Sequence, residues 1–268
     1  MSMKKEKIQK FQKTVWGFYT KEGRVLPWRK TKNSYHILVS EIMLQQTQVD
    51  RVIPKYQAFI KKFPNVKKLA NASQKEVLTI WQGLGYNRRA LNLWKSAKII
   101  SKNSFPKKEE DLITLPGIGS YTARAVLAFA YNKPVVLLET NIQAVFIYHF
   151  FKHTNKVADK ELLPLIEKSL DQQNPREWYW ALMDYGSYLK KRFPNPSKKS
   201  AHYTKQTKFK GSRRELRGKI VRVLSKEKGI REKKLISLLE RPKKEVGEVI
   251  GALLSEGLIK RKEGIYSL

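Results

Sequence analysis

The sequence predicts an all-α domain followed by a small mixed α+β module. Three observations carry that expectation. First, apolar residues recur at helical spacing through most of the chain: Val15, Phe18 and Tyr19, then Val77, Leu78, Ile80 and Trp81, then Val126, Leu127, Phe129 and Ala130. Second, short breakers part these runs: "PNV" at 64–66, "GLGY" at 83–86, "FPK" at 105–107 and "LPGIG" at 115–119. Third, a cation-rich stretch at 190–219 with two prolines and no apolar period precedes three more helical runs, 213–226, 231–239 and 242–256, closed by "GLIKRKEGIYSL" as a hairpin. The expected domains are therefore a helical domain at 1–189, a basic linker at 190–212 and a second module at 213–268. Three helices and a basic hairpin are the element order of a winged helix.

Composition restricts what such a chain can do. The 41% hydrophobic content is enough to build a core within 268 residues. Lysine and arginine total 55 against 23 acids, a formal charge of +32 that favours a polyanionic partner. No apolar run reaches the roughly 18 residues a membrane-spanning helix needs, so nucleic acid outranks membrane as that partner. The basic N-terminus lacks the continuous apolar core of a signal peptide, which places the expected location in the cytoplasm, on the nucleoid. With no cysteine there is no thiolate for a disulfide, a metal cluster or nucleophilic attack. His149 and His153 share a helix face, but no nearby glutamate or third ligand completes a metal site, and none is expected.

Chemistry concentrates in two places. In "EDLITLPGIGSYTARAVLAFAY", 110–131, one helix ends in a turn with Gly117 and Gly119 and another begins at once. Glycines there permit positive φ and let amides approach an anion at a helix N-terminus, so Gly117, Gly119 and Ser120 are candidate phosphate contacts. A plain αα-corner explains many such turns equally well. The second place is "SEIMLQQTQ", 40–48, where a carboxylate, Glu41, interrupts what otherwise reads as a buried helix.

With L-P-G-x-G between two helices, the chain resembles the helix-hairpin-helix (HhH-GPD) DNA glycosylase superfamily, which includes endonuclease III and the MutY-like A/G-specific adenine glycosylases. The resemblance covers nearly all of residues 8–196. "LPWR" (26–29), "SEIMLQQTQV" (40–49), "FPNVKKLANAS" (63–73), "GLGYNRRALNL" (83–93) and "ALMDYG" (181–186) follow the order and spacing of the adenine branch. It implies a helix-hairpin-helix fold and monofunctional excision of a flipped, mispaired adenine opposite guanine or 8-oxoguanine in double-stranded DNA, by a monomer. Glu41 falls on the family's proton donor. A poor leaving group such as adenine needs that proton at N7, and a carboxyl surrounded by Ile42, Met43 and Leu44 can keep it to higher pH than in water. In "LLETNI" (137–142), Glu139 takes the place of the family's aspartate, as stabiliser of the sugar cation or nucleophile, with Asn141 beside it. The alternative is that Glu139 simply caps the following helix. Tyr121 stands where bifunctional relatives carry a lysine, so no imine is expected there.

The resemblance also implies that Gln45, Gln46, Thr47, Leu84 and Tyr86 read or fill the duplex, and that Trp28, Arg29 and Trp180 line the base pocket. In the second module, Arg213, Arg214, Lys260 and Arg261 are expected on DNA phosphates. Three departures stand out. The four cysteines of the family's iron–sulfur cluster are missing, with Lys190 where the first belongs, so no cofactor is expected beyond a monovalent cation in the 115–119 hairpin. A winged-helix order replaces the Nudix-like C-terminal domain. Trp180 stands where relatives place Gln or Glu against the adenine edge, which implies a looser choice of base and keeps hypoxanthine, thymine or uracil open as substrates. A non-catalytic DNA-binding protein on the same scaffold is the other reading.

Overall fold

The computed structural model describes residues 2–227 and 229–268. In chain order the helices are α1 (Ser2–Glu22), α2 (Ser34–Leu44), α3 (Val49–Lys62), α4 (Val66–Ala70), α5 (Gln74–Ile80), α6 (Arg88–Ile100) and α7 (Glu109–Leu112), followed by α8 (Ser120–Tyr131), α9 (Thr140–Phe150), α10 (Asp159–Ser169) and α11 (Pro175–Arg192). Then come α12 (Arg213–Lys226), β1 (Ile230–Arg231), α13 (Glu232–Leu239), α14 (Lys243–Ser255), β2 (Lys260–Lys262) and β3 (Ile265–Ser267). Short 3₁₀ turns lie at Pro27–Lys30 and Pro196–Lys199. No helix among the described residues is long and apolar enough to cross a membrane.

The chain forms two units by internal contacts. The first comprises the chain up to Ile37, with Lys107–Ile113 and Ile118–Lys205; the second comprises Leu38–Pro106, Thr114–Gly117 and Gln206–Leu268.

In the first unit α11 is the central element, packing on α1, α8 and α9. Phe11, Phe146 and Trp178 are buried together, with Phe11 meeting Phe146 at 5.0 Å and Trp178 edge-on at 6.0 Å between ring centroids. On the same helix Asp184, 3% exposed, accepts from the Arg24 amide (2.8 Å) and side chain, and takes both arms of the Arg29 fork at 2.7 and 2.8 Å. Burial pushes the Asp184 carboxyl up, but the two arginines and the Arg24 amide outweigh it and hold it below the ordinary carboxylate value. The 190–212 stretch, expected as a linker, begins inside α11. It then docks through backbone and hydroxyl bonds: Ser197 Oγ donates to the Thr140 carbonyl (2.9 Å), and Val157 is bracketed by Lys199 and Ala201 (both 2.8 Å). Such docking leaves no apolar period to read in the sequence. Residues 202–211 are exposed.

In the second unit, local signals place the helix starts. Asn65 caps α4, and Ser73 and Glu76 close a capping box on α5. The core is Phe59, Trp81, Leu78 and Leu93, all fully buried. The C-terminal elements have the expected helix, helix, helix, hairpin order, with a short strand β1 added so that the sheet runs β1-β3-β2, all antiparallel. Leu216, Ile220, Leu235, Val246, Leu253 and Tyr266 form its core. This module rests on α5: Gln74 Nε2 donates to the carbonyls of Gly257 (3.0 Å) and Leu258 (3.2 Å), and Lys75 Nζ to that of Glu227 (2.8 Å).

The ion cluster yields the first prediction. Asp184→Asn leaves Arg29 buried with half its neutralising partner gone and should cost about 3–5 kcal/mol in urea denaturation. Because the folded value lies below the unfolded one, the wild-type contribution is complete above about pH 4 and lost as pH falls through the folded value. The variant should lack that part of the acid dependence.

Candidate functional site

In the second unit, the last turns of α2 carry Glu41. Ile37, Leu38, Val39, Ser40, Ile42 and Met43 are each at most 2% exposed, and Glu41 is 8% exposed among them. The helix is buried nearly all round, so its sequence shows no polar stripe to betray it. It ends in the segment Gln45, Gln46, Thr47, where Gln46 adopts φ 53°. Arg89, the second residue of α6, binds this end. Its Nη1 donates to the carbonyls of Ile42 (2.8 Å), Met43 (3.2 Å) and Gln45, and Nη2 to Thr47 Oγ1 (3.1 Å) and the carbonyls of Leu84 and Gly85 (both 3.3 Å). Its guanidinium lies over Trp81 and Tyr86, 5.7 and 5.3 Å from the ring centroids. Burial pulls the Arg89 pKa down to about 10, with Tyr86 opposing, so it stays charged at neutral pH. Sequence reasoning passed over Arg89. The available signal was a pair of arginines opening a helix, where the dipole disfavours cations.

The 83–86 turn holds Gly83 at φ 94°, Gly85 at φ 72° and Tyr86 at φ 46°, and Trp81 Nε1 donates to the Gly85 carbonyl (3.1 Å). Tyr86 is thereby left exposed. Leu84 is not: the expectation that it meets a base fails, because at 3% exposure its side chain belongs to the core. Of the hairpin glycines, Gly117 does take positive φ, 76°, and a Cβ there would lie 2.6 Å from Asn92 Nδ2. Gly119 departs from expectation, with φ −91°; it is the N-cap of α8, makes no side-chain cap, and is exposed along with Ser120. Of the expected phosphate contacts in the C-terminal module, Lys260 and Arg261 are exposed on β2, and Arg213 is ion-paired with Glu248 (3.3 Å). Arg214 donates to Tyr86 Oη (2.8 Å).

In the first unit, Glu139 is the N-cap of α9. One oxygen accepts from the amides of Asn141 (2.9 Å) and Ile142 (3.0 Å), the other from Asn141 Nδ2 (3.0 Å) and Thr140 Oγ1 (3.2 Å). The capping alternative is thus realised, and it fixes where the carboxylate points. Tyr179 Oη steadies the approach to it, donating to the Val135 carbonyl (2.7 Å) and accepting from the Leu137 amide (3.0 Å). Gly186 lets α11 press on α9 so closely that a Cβ would fall 2.2 Å from the Asn141 carbonyl oxygen. Lys190, one turn further along α11, is near enough to feel Glu139; burial lowers its pKa, Glu139 opposes that and Arg24 adds to it. An iron–sulfur cluster does not fit here, since the chain offers no thiolate. Tyr121 is half-buried in the first turn of α8.

Three expected pocket residues have structural work instead. Trp28 is buried, 6% exposed. Arg29 spends its fork on Asp184. Trp180 stacks on Phe129 (6.2 Å, 27°) with the Arg29 guanidinium 5.4 Å from its ring centre.

Residues 39–168 match the family model described as HhH-GPD superfamily base excision DNA repair protein. That segment belongs to the HhH-GPD superfamily. The chain is 41% identical over 184 residues to an adenine DNA glycosylase of Buchnera aphidicola subsp. Baizongia pistaciae, covering 67% of this chain and 52% of that protein. It is 45% identical over 132 residues to that of Mycolicibacterium smegmatis, covering 48% and 45%. The chain spans about half the length of the curated relatives it matches. Among solved structures, a thermostable thymine-DNA glycosylase matches with TM-score 0.60 and 26% identity over 68% of this chain and 87% of that one. A non-covalent endonuclease III–DNA complex matches with TM-score 0.60 over 70% and 89%, and at 16% identity it shows a shared fold. The HhH-GPD segment carries Glu41, the hairpin and Glu139. Trp28, Arg29, Trp180 and the whole C-terminal module lie outside it.

Two glycines give opposite expectations. Gly186→Ala should lower the thermal midpoint, since overpacking costs about 1–3 kcal/mol where backbone blocks the new methyl. Gly17→Ala, at an exposed helix position with nothing within 4 Å, should raise stability by about 0.5–1 kcal/mol.

Proposed function

We propose that the protein is a monofunctional DNA glycosylase that hydrolyses the N-glycosidic bond of an adenine mispaired with guanine or 8-oxoguanine in double-stranded DNA. The observation that carries this reading is Glu41: a carboxyl nearly sealed within the apolar end of α2, inside a segment similar to adenine DNA glycosylases. A general acid for a purine has to reach an otherwise uncharged base with a proton, and an apolar setting favours the neutral, proton-bearing form. Glu41 delivers the proton to N7 as the bond from C1′ to N9 breaks. The electron pair of that bond leaves with the base, and positive charge develops on the sugar. Glu139 supplies a carboxylate for that charge, its direction set by the cap bonds to Asn141 and Ile142. Water then adds at C1′. Tyr121 cannot form an imine, so the strand is left intact at an abasic site.

The charge of +32 supports a duplex partner, engaged by a monomer. The exposed amides at Gly119 and Ser120 and the cations of β2 serve as phosphate contacts. No cluster takes part, because the chain has no thiolate to hold one. The likeness to a thymine-DNA glycosylase at 26% identity is the specific observation behind a second reading, in which thymine is the base released.

A panel of duplexes carrying adenine, hypoxanthine, thymine or uracil opposite guanine and 8-oxoguanine, read by alkali cleavage after single-turnover incubation, separates the two. Adenine should be released fastest. Glu41→Gln should slow release by about 10²- to 10⁴-fold while duplex affinity stays within a few-fold. Thymine release with adenine untouched would establish the second reading, and rapid turnover by Glu41→Gln would remove Glu41 from the mechanism.

A further inference from the structure

A cavity of about 480 Å³ opens within the second unit between the end of α2, the 83–86 turn and the C-terminal module. Gln46 and Tyr86 form one side; Arg214, Arg217 and Glu256 form the other. The two sides are tied at Tyr86, whose hydroxyl accepts from Gln206 Nε2 (2.6 Å) and Arg214 Nη1 (2.8 Å), with the Arg214 guanidinium 5.6 Å from the ring centre. Gln206 Nε2 also reaches Gln46 Oε1 (3.5 Å). Arg214 is anchored from behind by the Thr207 carbonyl (2.6 Å). It was expected to be a phosphate contact, and the geometry argues otherwise.

The lining distinguishes the ligand. A phosphate would share the cavity with the Glu256 carboxylate, which the paired Arg217 (2.6 and 2.9 Å) only neutralises. A neutral, flat group with separate acceptor and donor edges suits the walls better. An aromatic ring offers a stacking face, a guanidinium fork matches two adjacent acceptors, and a carboxylate takes ring and exocyclic N–H donors. Guanine combines these: O6 and N7 as acceptors, N1–H and the N2 amine as donors. Ile42, next in the chain to Glu41, also lines the cavity, so it lies on the half of the molecule that carries the proposed acid.

We propose that this cavity holds a guanine-type base of the strand that is not cut, the partner of the excised adenine, and that Arg214 and Gln206 of the C-terminal module are specificity-determining residues that read it. This rests on the glycosylase reading above and extends it to the region outside the HhH-GPD match. The module then belongs to the recognition site itself, beyond any general hold on DNA.

The test uses the full chain and fluorescence anisotropy on duplexes whose central adenine nucleotide is 2′-fluorinated to resist hydrolysis. The base opposite is guanine, cytosine or an abasic analogue. Wild type should bind the guanine duplex about tenfold more tightly than the abasic one, in the range of one bidentate base contact. Arg214→Ala should erase that preference while keeping affinity for the abasic duplex within about twofold. Arg214→Lys should behave like Arg214→Ala, because it keeps the charge and loses the fork. Gln206→Ala is the second variant should Arg214→Ala have a depressed thermal midpoint. A uniform loss on all three duplexes with a shallower salt dependence would overturn the proposal in favour of a phosphate contact, and a wild type indifferent to the opposite base would overturn it outright. These affinities are read without base release, so failure of the adenine reading, seen as no release from the unfluorinated duplex, is a separate result.

Discussion

The base-handling half of the molecule depends on one guanidinium. Arg89 replaces the missing amide donors at the C-terminal end of α2, takes the Thr47 hydroxyl and two carbonyls of the 83–86 turn, and supports the Tyr86 ring. Helix ends leave carbonyls without partners, and here they are buried where water cannot serve them. A lysine could not span so many acceptors from one position. The arrangement carries a cost: the cation is desolvated, and its Nε is a buried donor without an acceptor among the described residues. That expense is characteristic of a site held in one geometry. With Arg89 in place, Gln46 and Tyr86 can keep left-handed backbone conformations that few side chains adopt unaided.

The other unit solves an equivalent problem with a carboxylate. Asp184 gathers the Arg24 and Arg29 segments onto α11, while Gly186, two residues on, brings α9 into backbone contact and so sets the position of its N-cap Glu139. Capping and charge stabilisation are compatible duties for that residue. The cap bonds use the carboxylate in the plane of the helix start and restrict it to one orientation, which is what preorganised electrostatic stabilisation requires.

Much of this was legible in the sequence. Helical spacing and breakers located the bundle, the L-P-G-x-G turn located the hairpin, and the element order located the C-terminal module. Glu41 stood out as an acid in an apolar run, and its burial bears that anomaly out. What escaped is of one kind: partners fixed only by tertiary structure. Arg29 and Trp28 sit in a string that suggests binding, yet Arg29 is consumed by an aspartate far along the chain. Leu84 looks like a loop side chain, but the turn's two positive-φ glycines fold it inward and leave Tyr86 outside. The docking of residues 196–201 proceeds through backbone bonds, which composition does not record. Arg214 reads as one more cation in a basic stretch until Tyr86 is found against it.

The central claim, that Arg89 holds the end of α2 and the 83–86 turn in working order, is tested most directly by Arg89→Met set beside Lys95→Met, an exposed cation on the same helix. Both variants lose one positive charge, so effects of net charge on DNA affinity cancel in the comparison. Chemical denaturation and single-turnover adenine release would be measured on each. The account predicts that Arg89→Met loses at least about 2 kcal/mol of stability, from buried acceptors left unsatisfied, and releases adenine at least tenfold more slowly under conditions where it remains folded, while Lys95→Met changes neither. An Arg89→Met protein as stable and as active as Lys95→Met would contradict it.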